Sequence, residues 1–281
     1  LPKPKCIVYT NLTCDANLLT FKKLAKMYDV PIFAIDVPMQ QNEDNVQYVA
    51  DQLRKLKDFI EECTGKKITD ETLTERLRRS KRTLEKFAQY EKESADRYIP
   101  ADLVTPLYAG MTNNLLLGTE EEETYVDRLL NDVKKAPAKK GKKIYWMHTI
   151  PFWSDAVKNE LCFQEKAQIV GCELSRVCEP DFDPEKPYEA MARRMVYHAL
   201  NGSAIRRIEA GIRHAKETGA DGAVWFGHWG CKHTIGAAQL AKRKFEEQGI
   251  PLLILVDSAF HLKCLPAVPG LSMQPQTEER M

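Results

Sequence analysis

Two stretches of this chain have the same build, and each requires an α/β layer. Residues 6–36, CIVYTNLTCDANLLTFKKLAKMYDVPIFAID, and residues 223–255, AVWFGHWGCKHTIGAAQLAKRKFEEQGIPLLIL, both run from an apolar strand through a short loop into an amphipathic helix. In each stretch a proline, Pro31 or Pro251, then opens a second apolar strand. Such a βαβ unit pairs its strands in parallel, with a right-handed crossover. The repeat therefore predicts parallel sheets in both halves of the chain.

The rest of the sequence continues this alternation of strands and helices. Apolar residues recur at helical spacing over residues 43–63, and further helical segments follow up to residue 135. The segment KKAPAKKGKK, at 134–143, has the lysine, proline and glycine of a solvated linker. We therefore expect an α/β protein of two doubly wound (Rossmann-like) parallel-sheet domains, the first at 1–140 with a helical insert and the second at 141–281.

Composition argues against several classes of protein. The 41 Lys+Arg and 40 Asp+Glu residues leave a formal charge of +1, so no global field attracts nucleic acid or an anionic membrane. No apolar run approaches the length of a membrane span, and the first residues lack the zones of a signal peptide. We expect a cytoplasmic protein with neither nucleic acid nor membrane as a partner. The eight cysteines show no framework spacing, which favours reduced thiols over a disulfide scaffold.

Cys14 and Cys231 are the candidate functional residues. In each repeat the cysteine falls where the carboxyl end of a strand meets the start of a helix, the position at which open α/β sheets bind ligands. Unpaired amide donors and the positive end of the helix dipole favour a thiolate there, the form that attacks as a nucleophile and that binds metal. The other cysteines lack this placement: Cys63, Cys162 and Cys172 lie in periodic segments and Cys6 in a strand, as apolar filler, while Cys178 and Cys264 lie in irregular segments and stay open.

A nucleophilic role for either thiol would need a base, and His148, His228 and His233 are available in loops. No cysteine-protease signature surrounds either cysteine, and joint ligation of a metal explains two thiols at equivalent strand ends better. Two ligands do not complete a site, and the sequence has no CxxC spacing of a structural zinc. The residues alone therefore favour a metal site with further ligands from elsewhere.

Several blocks of the chain resemble one known family. In order from residue 1 to about 255 these are LPKPKCIVYTNLTCDANLLTFKKLAKMYDVPIFAIDVP, VQYVADQLRKLKDFIEECTGKKI, LLGTEEE, HTIPFW, and DGAVWFGHWGCK with GIPLLIL. The residues of these blocks and the spacing between the blocks resemble those of the 2-hydroxyacyl-CoA dehydratase family, which includes benzoyl-CoA reductase subunits. The resemblance implies a subunit of two flavodoxin-like domains that binds a 4Fe-4S cluster through three cysteines.

The resemblance also assigns residues. Cys14, in TNLTC, matches the family's middle cluster ligand, and Cys231, in GHWGC, matches its last. The first ligand would lie upstream of Leu1, in a segment expected to precede this sequence. His148, Thr149 and His228 would line the cluster pocket.

The implied activity is that of a lyase in anaerobic amino-acid fermentation. A separate ATP-hydrolysing iron-sulfur activator supplies one electron, and a heterodimer with a second dehydratase subunit removes water from a 2-hydroxyacyl-CoA substrate by a ketyl-radical mechanism. The alternatives are an ATP-dependent benzoyl-CoA or other acyl-CoA reductase subunit, or a non-catalytic or degenerate electron-relay subunit. The acyl chain is not determined by the sequence.

Two departures from the family pattern limit what the resemblance implies. Phe152, in HTIPFW, stands where some members place a cysteine, so we expect no ligand from this loop. After GIPLLIL the sequence is interrupted by prolines and has no helical period, so the usual closing helix is in doubt.

Overall fold

The computed structural model describes residues 3–175, 181–257 and 262–264, the last three by their backbone alone. Strands and helices alternate as the sequence predicts, and the α/β class with parallel sheets is confirmed. In chain order the elements are β1 (Ile7–Thr10), α1 (Asp15–Tyr28), β2 (Ile32–Ile35), α2 (Glu43–Thr64), α3 (Asp70–Ser94), α4 (Thr105–Leu115), α5 (Glu120–Lys135), β3 (Lys142–Met147), α6 (Asp155–Leu161), β4 (Ala167–Cys172), α7 (Pro187–Val196), α8 (Ala204–Glu217), β5 (Gly222–His228), α9 (Lys232–Ile235), α10 (Ala238–Glu246), β6 (Leu252–Asp257) and β7 (Leu262–Cys264).

The described residues form two compact units, each built from separate parts of the chain. The first unit takes residues 3–85, 116–124 and 181–207, and the second takes the remaining described residues. The boundary near residue 140 was predicted to divide two separately folding domains, and it stays a prediction. Within the described ranges no helix combines the length and the apolar character that crossing a membrane would require.

The first unit is organised around the helix α2. Its first turn is capped by Asn42, whose side-chain oxygen accepts a hydrogen bond from the Asn45 N–H at 2.8 Å, and it ends at Gly65, which has a φ of 70°. Strand β1 pairs in parallel with β2 beside it. The apolar face predicted for residues 43–63 is confirmed, because α2 packs against β2 and α7 through the buried residues Ile35, Val37, Val46, Val49, Ala50, Leu53, Tyr188, Ala192 and Val196.

The second unit contains a five-stranded sheet in the order β4-β3-β5-β6-β7. The first four strands are parallel, and β7 runs antiparallel to β6. Alternate side chains of the central strands enter two different cores, as the period of a strand requires. Met147 and Trp225 pack with α8 and α10 on one face of the sheet, whereas Trp146 and Phe226 pack on the other face with the segments around Leu103 and Val157.

Two local predictions were wrong. The segment expected to be one helix from the Cys231 loop to Gln248 contains two helices, α9 and α10, with a break at Gly236 and Ala237. Glycine disfavours a continuous helix, which is the physical reason for a break at this point. Cys6 precedes β1 rather than lying within it, and it is half-buried rather than part of a core.

Most residues of the lysine-rich segment before β3 are exposed, as its composition predicts, but its backbone is not a free linker. Its backbone is held against residues 96–98, since the Tyr98 N–H donates to the Pro137 carbonyl at 2.8 Å and the Lys139 N–H donates to the Asp96 carbonyl at 2.9 Å. Gly141 fits here because it has no side chain: a Cβ atom would lie 1.9 Å from the Glu165 carbonyl oxygen. The segment is therefore part of the packed second unit.

Lys139 gives this segment a measurable pH dependence. Its Nζ atom contacts the side-chain oxygen of the buried Gln168, and burial, together with the charge of Lys143, lowers the pKa of Lys139 to about 8. Because the unfolded chain keeps the ordinary value near 10.5, it binds more protons between pH 8 and pH 10.5, and stability rises over that interval. We expect the free energy of unfolding of the wild type to increase by about 2 kcal/mol relative to Lys139→Gln across it.

Urea unfolding at pH 7, 9 and 10.5 measures this difference. The matched control is Lys140→Gln, which changes the exposed neighbouring lysine and should follow the wild type at every pH. If Lys139→Gln also follows the wild type at every pH, Lys139 does not titrate as its surroundings require.

Candidate functional site

The carboxyl edge of the sheet in the second unit carries most of the predicted site residues. In the order of the strands, β4 and β5 are the two neighbours of β3, one at each of its edges, so the chain reverses its direction across the sheet at β3. In open α/β sheets such a switch point opens the crevice in which ligands bind. His148 and Thr149 directly follow β3, while His228 ends β5 and Cys231 lies in the loop after it. The structure therefore brings these four predicted residues to adjacent strand ends.

Cys231 begins α9 as its N-cap residue, in the extended conformation usual at that position. Its N–H donates to the His228 carbonyl at 2.8 Å, and its carbonyl accepts hydrogen bonds from the N–H groups of Thr234 and Ile235 at 3.1 Å each. The backbone is thus fixed on both sides of the cysteine, whereas the half-buried thiol makes no capping hydrogen bond. The sulfur atom is therefore not used to cap α9.

Thr234 holds the Cys231 loop against β5. Its hydroxyl group accepts a hydrogen bond from the His228 N–H at 3.2 Å and donates to the Cys231 carbonyl at 3.0 Å. Its own carbonyl accepts a hydrogen bond from the indole N–H of the buried Trp225 at 3.0 Å. The sequence positions the cysteine through these neighbouring side chains and backbone groups.

His228 has a defined tautomer in its neutral form. The Gly230 N–H donates to the Nδ1 atom of His228 at 3.1 Å, so that atom carries no proton. A neutral ring must then carry its proton on Nε2. His228 therefore offers an N–H donor, rather than an acceptor, from the far side of its ring.

His148 is held in a backbone conformation that side chains seldom adopt, with a φ of 72°. Its N–H donates to the Glu173 carboxylate at 2.9 Å, and its ring lies nearly parallel to that of Phe226, with 6.4 Å between the ring centres. The hydroxyl of Thr149 lies 3.1 Å from Nδ1 of the same ring. Residues kept at positive φ by their surroundings occur often at functional sites, which supports a role for this position.

Cys14 occupies in the first unit the position that Cys231 occupies in the second. It is the N-cap residue of α1, its thiol is exposed, and its side chain makes no capping hydrogen bond. The preceding residue, Thr13, has a φ of 80°, which is strained for a β-branched side chain. The predicted placement of both cysteines, after a strand and at the start of a helix, is confirmed.

In both units an aspartate also stands at the carboxyl end of the second strand: Asp36 directly follows β2, and Asp257 is the last residue of β6. The Asp36 carboxylate accepts hydrogen bonds from the Asn11 amide at 2.5 Å and from the Tyr48 hydroxyl at 3.1 Å, and the latter bond raises the pKa of Tyr48. The nearly inaccessible Asp257 accepts a hydrogen bond from the Trp153 indole N–H at 3.1 Å. The signal for both aspartates was present in the sequence, as an acidic residue directly after an apolar strand, in FAID and LLILVD.

Of the remaining predicted residues, none that the structure describes is the N-cap residue of a helix. Burial raises the pKa of the thiol of Cys172, the last residue of β4, to about 12, so this cysteine stays protonated, as expected of apolar filler. Cys162 is half-buried after α6, and His233 is exposed in α9. Phe152 is exposed beside Trp153. Cys178 lies outside the described residues, and only the backbone of Cys264 is described, in β7.

A 4Fe-4S cluster, which the sequence resemblance implies, requires several thiolate ligands. Cys14 and Cys231 fit individually, because an accessible thiol at the start of a helix suits a thiolate ligand. In the described part of the chain, no three His, Cys, Asp or Glu side chains are assembled as a metal-binding group. Two residues thus have suitable chemistry, and the described residues do not gather a complete set.

Comparison with known proteins assigns the chain to a family. The sequence profile of the family described as "2-hydroxyglutaryl-CoA dehydratase, D-component" matches residues 2–258, nearly the whole chain. The chain belongs to this family. The resemblance found in the sequence is thereby confirmed.

Two curated relatives are similar over different lengths. The (R)-phenyllactyl-CoA dehydratase alpha subunit of Clostridium sporogenes is 22% identical over 275 residues, which cover 90% of this chain and 65% of that protein. The (R)-2-hydroxyglutaryl-CoA dehydratase subunit alpha of Acidaminococcus fermentans is 29% identical over 87 residues, which cover 30% of this chain and 18% of that protein. The chain therefore spans less than two thirds of either relative.

Proposed function

We propose that this chain is one subunit of a 2-hydroxyacyl-CoA dehydratase, a lyase that removes water from a 2-hydroxyacyl thioester of coenzyme A. Membership of the family supports this activity, and both named relatives are dehydratase subunits. Because both relatives are named alpha subunits, we also propose a second subunit as the partner of this chain. That the substrate is a 2-hydroxyacyl-CoA is likewise part of the proposal, because this chain spans only part of the length of each relative.

We further propose that Cys14 and Cys231 are thiolate ligands of a 4Fe-4S cluster. One observation carries this assignment: each cysteine is the N-cap residue of the helix that follows the carboxyl end of a parallel strand. Backbone N–H groups at the start of a helix favour the negative charge of a thiolate. A further ligand besides these two cysteines belongs to the same proposal. When bound, the cluster would supply one-electron chemistry, with the electron coming from an ATP-hydrolysing activator.

The residues at the carboxyl edge of the second sheet would act on the bound substrate or cluster without entering the ligand set. His228 would donate a hydrogen bond from Nε2, because its Nδ1 atom is occupied by the Gly230 N–H. His148 and Thr149 would line the same edge, and the hydrogen bond from the His148 N–H to Glu173 would keep them in place. Fixed donors stabilise charge that develops on a substrate oxygen, which is the contribution we assign to this edge.

The test is to isolate the affinity-tagged chain anaerobically from its own cells, together with whatever chains accompany it. We expect a second family chain in the complex, about four iron and four sulfide per cluster-bearing chain, and absorbance in the visible region. With ATP, a low-potential reductant and the activator, the complex should convert a 2-hydroxyacyl-CoA into the enoyl-CoA. The (R)-phenyllactyl and (R)-2-hydroxyglutaryl thioesters are the first substrates to supply, since the relatives are named for them.

The same assay separates the alternatives. Reduction of an acyl-CoA without loss of water would replace the dehydratase proposal with a reductase. An iron-containing complex that converts no thioester of either class would favour an electron-relay subunit. Absence of iron from the intact complex would contradict the cluster itself.

A further inference from the structure

The second unit contains a small cavity whose wall includes neither the two cysteines nor the histidines of the proposed site. The cavity lies among the last turns of α3, the segment before α4, Lys139 and β4, and its volume is about 60 Å³. By the same kind of measure a single water molecule needs about 10–15 Å³, so the cavity admits a molecule of a few atoms. Part of its wall is apolar, through the buried Phe87, Leu103 and Val170. An acyl-CoA thioester or an iron-sulfur cluster would not fit.

Lys139 brings an amine to the wall of this cavity. Its Nζ atom contacts the side-chain oxygen of Gln168, which is 7% exposed and also lines the cavity. The side-chain N–H of Gln168 donates to the Ile99 carbonyl at 2.7 Å, so its oxygen is the atom that faces the amine. A neutral amine that donates one N–H to this fixed acceptor keeps its lone pair for a reactant.

The surroundings of Lys139 disfavour its ammonium form. Burial and the charge of Lys143 lower its pKa to about 8, and the charge of Asp96, which contacts Lys143, opposes this change. At pH 8 about half of the Lys139 side chains are neutral, a fraction roughly a hundredfold larger than for a lysine of ordinary pKa. The carboxylates of Glu91 and Asp102 also line the cavity. Of these charges, that of Lys143 acts most strongly on the amine, and it would attract an anion formed there.

We propose that Lys139 takes up carbon dioxide in this cavity and becomes a carbamate. The lone pair of the neutral amine attacks the carbon atom, a C–N bond forms, and one C=O double bond becomes a single bond to a negatively charged oxygen. The nitrogen then releases a proton to solvent, so one amine and one carbon dioxide give one carbamate anion and one proton. The remaining N–H still donates to Gln168. The hydroxyl group of Tyr90, on the same wall, stays protonated and can donate to the carbamate, because burial raises its pKa to about 12.

The test is to trap the carbamate in the full chain. The protein is equilibrated at pH 8 with ¹³C-labelled carbon dioxide at fixed pressure, treated with a triethyloxonium salt to ethylate the carbamate oxygen, and digested with a protease that does not cut at lysine. Mass spectrometry should place the labelled ethyl carbamate on Lys139. The Lys139→Arg variant keeps a positive charge but has no amine of this kind, so it should lose the adduct. The Lys140→Gln variant changes the exposed neighbour and should keep it.

Two further measurements on the wild type, which need no variant to fold, show whether the cavity selects this lysine. At fixed carbon dioxide pressure, labelling of Lys139 should rise from pH 6.5 through a midpoint near pH 8, while Lys140 in the same peptide gains only a trace. In the urea-unfolded chain, the labelling of Lys139 should fall to the level of Lys140. Absence of the adduct from Lys139 in the folded chain, or equal labelling of Lys139 and Lys140 there, would overturn the proposal. Neither result depends on whether the chain binds a cluster or acts as a dehydratase.

Discussion

Anaerobically isolated Cys231→Ala protein is expected to lose its iron. If Cys231 is a cluster ligand, its removal leaves an iron atom without the thiolate that holds it, and the content should fall from about four iron atoms per chain to less than one. The Cys14→Ala variant should behave in the same way. Iron and sulfide analysis measures the loss, and the visible absorbance of the cluster should decline in parallel.

Cys162→Ala is the matched control for this experiment. Cys162 is half-buried like Cys231, but it follows α6 and does not begin a helix at a strand end. This variant should keep its iron. Retention of full iron content by both Cys14→Ala and Cys231→Ala would refute the ligand assignment, and equal loss in the control would show that iron content follows general damage to the fold.

The second large effect is expected from Trp225. Its side chain is 0% exposed, and its indole N–H donates to the carbonyl of Thr234, within α9. Replacement by alanine removes a large apolar group from a packed core and should lower the free energy of unfolding by about 4 kcal/mol. Trp229, four residues later and 60% exposed, provides the control, because Trp229→Ala should change the same free energy by about 0.5 kcal/mol or less.

Urea unfolding compares these two variants with Trp225→Phe. Phenylalanine keeps much of the apolar volume and removes the hydrogen bond to Thr234, so we expect an intermediate loss of about 2 kcal/mol. Equal losses in the two alanine variants would contradict the burial of Trp225. A loss in Trp225→Phe as large as in Trp225→Ala would assign the stabilisation to the hydrogen bond instead of to the packing.

The parts of the site that could be predicted are those set by local periodicity. An apolar strand, a short loop and an amphipathic helix are visible within about thirty residues, and they were enough to place Cys14 and Cys231 at helix starts. The break at Gly236 could also have been found, because a glycine in a helical pattern weakens the helix. The break was missed because the apolar residues recur at helical spacing across it.

Other features depend on contacts that a local pattern does not contain. The order of the strands brings the end of β3 beside the end of β5, and this neighbourhood results from pairing between distant segments. The partner of the His148 N–H likewise comes from elsewhere, because Glu173 directly follows a different strand. The environment of Lys139 could not be predicted for the same reason. The composition of its segment predicts a lysine side chain in solvent, whereas Lys139 contacts Gln168 and is partly buried.

The short strand β7 has a consequence for anyone who shortens this chain. It pairs with only the last three residues of β6, at Leu255, Val256 and Asp257, on the side where β6 would otherwise present free backbone N–H and C=O groups. An uncovered strand edge recruits strands from other molecules and promotes aggregation. A truncation at residue 257 would create such an edge beside the Cys231 loop, so residues 262–264 are best retained as a guard against self-association.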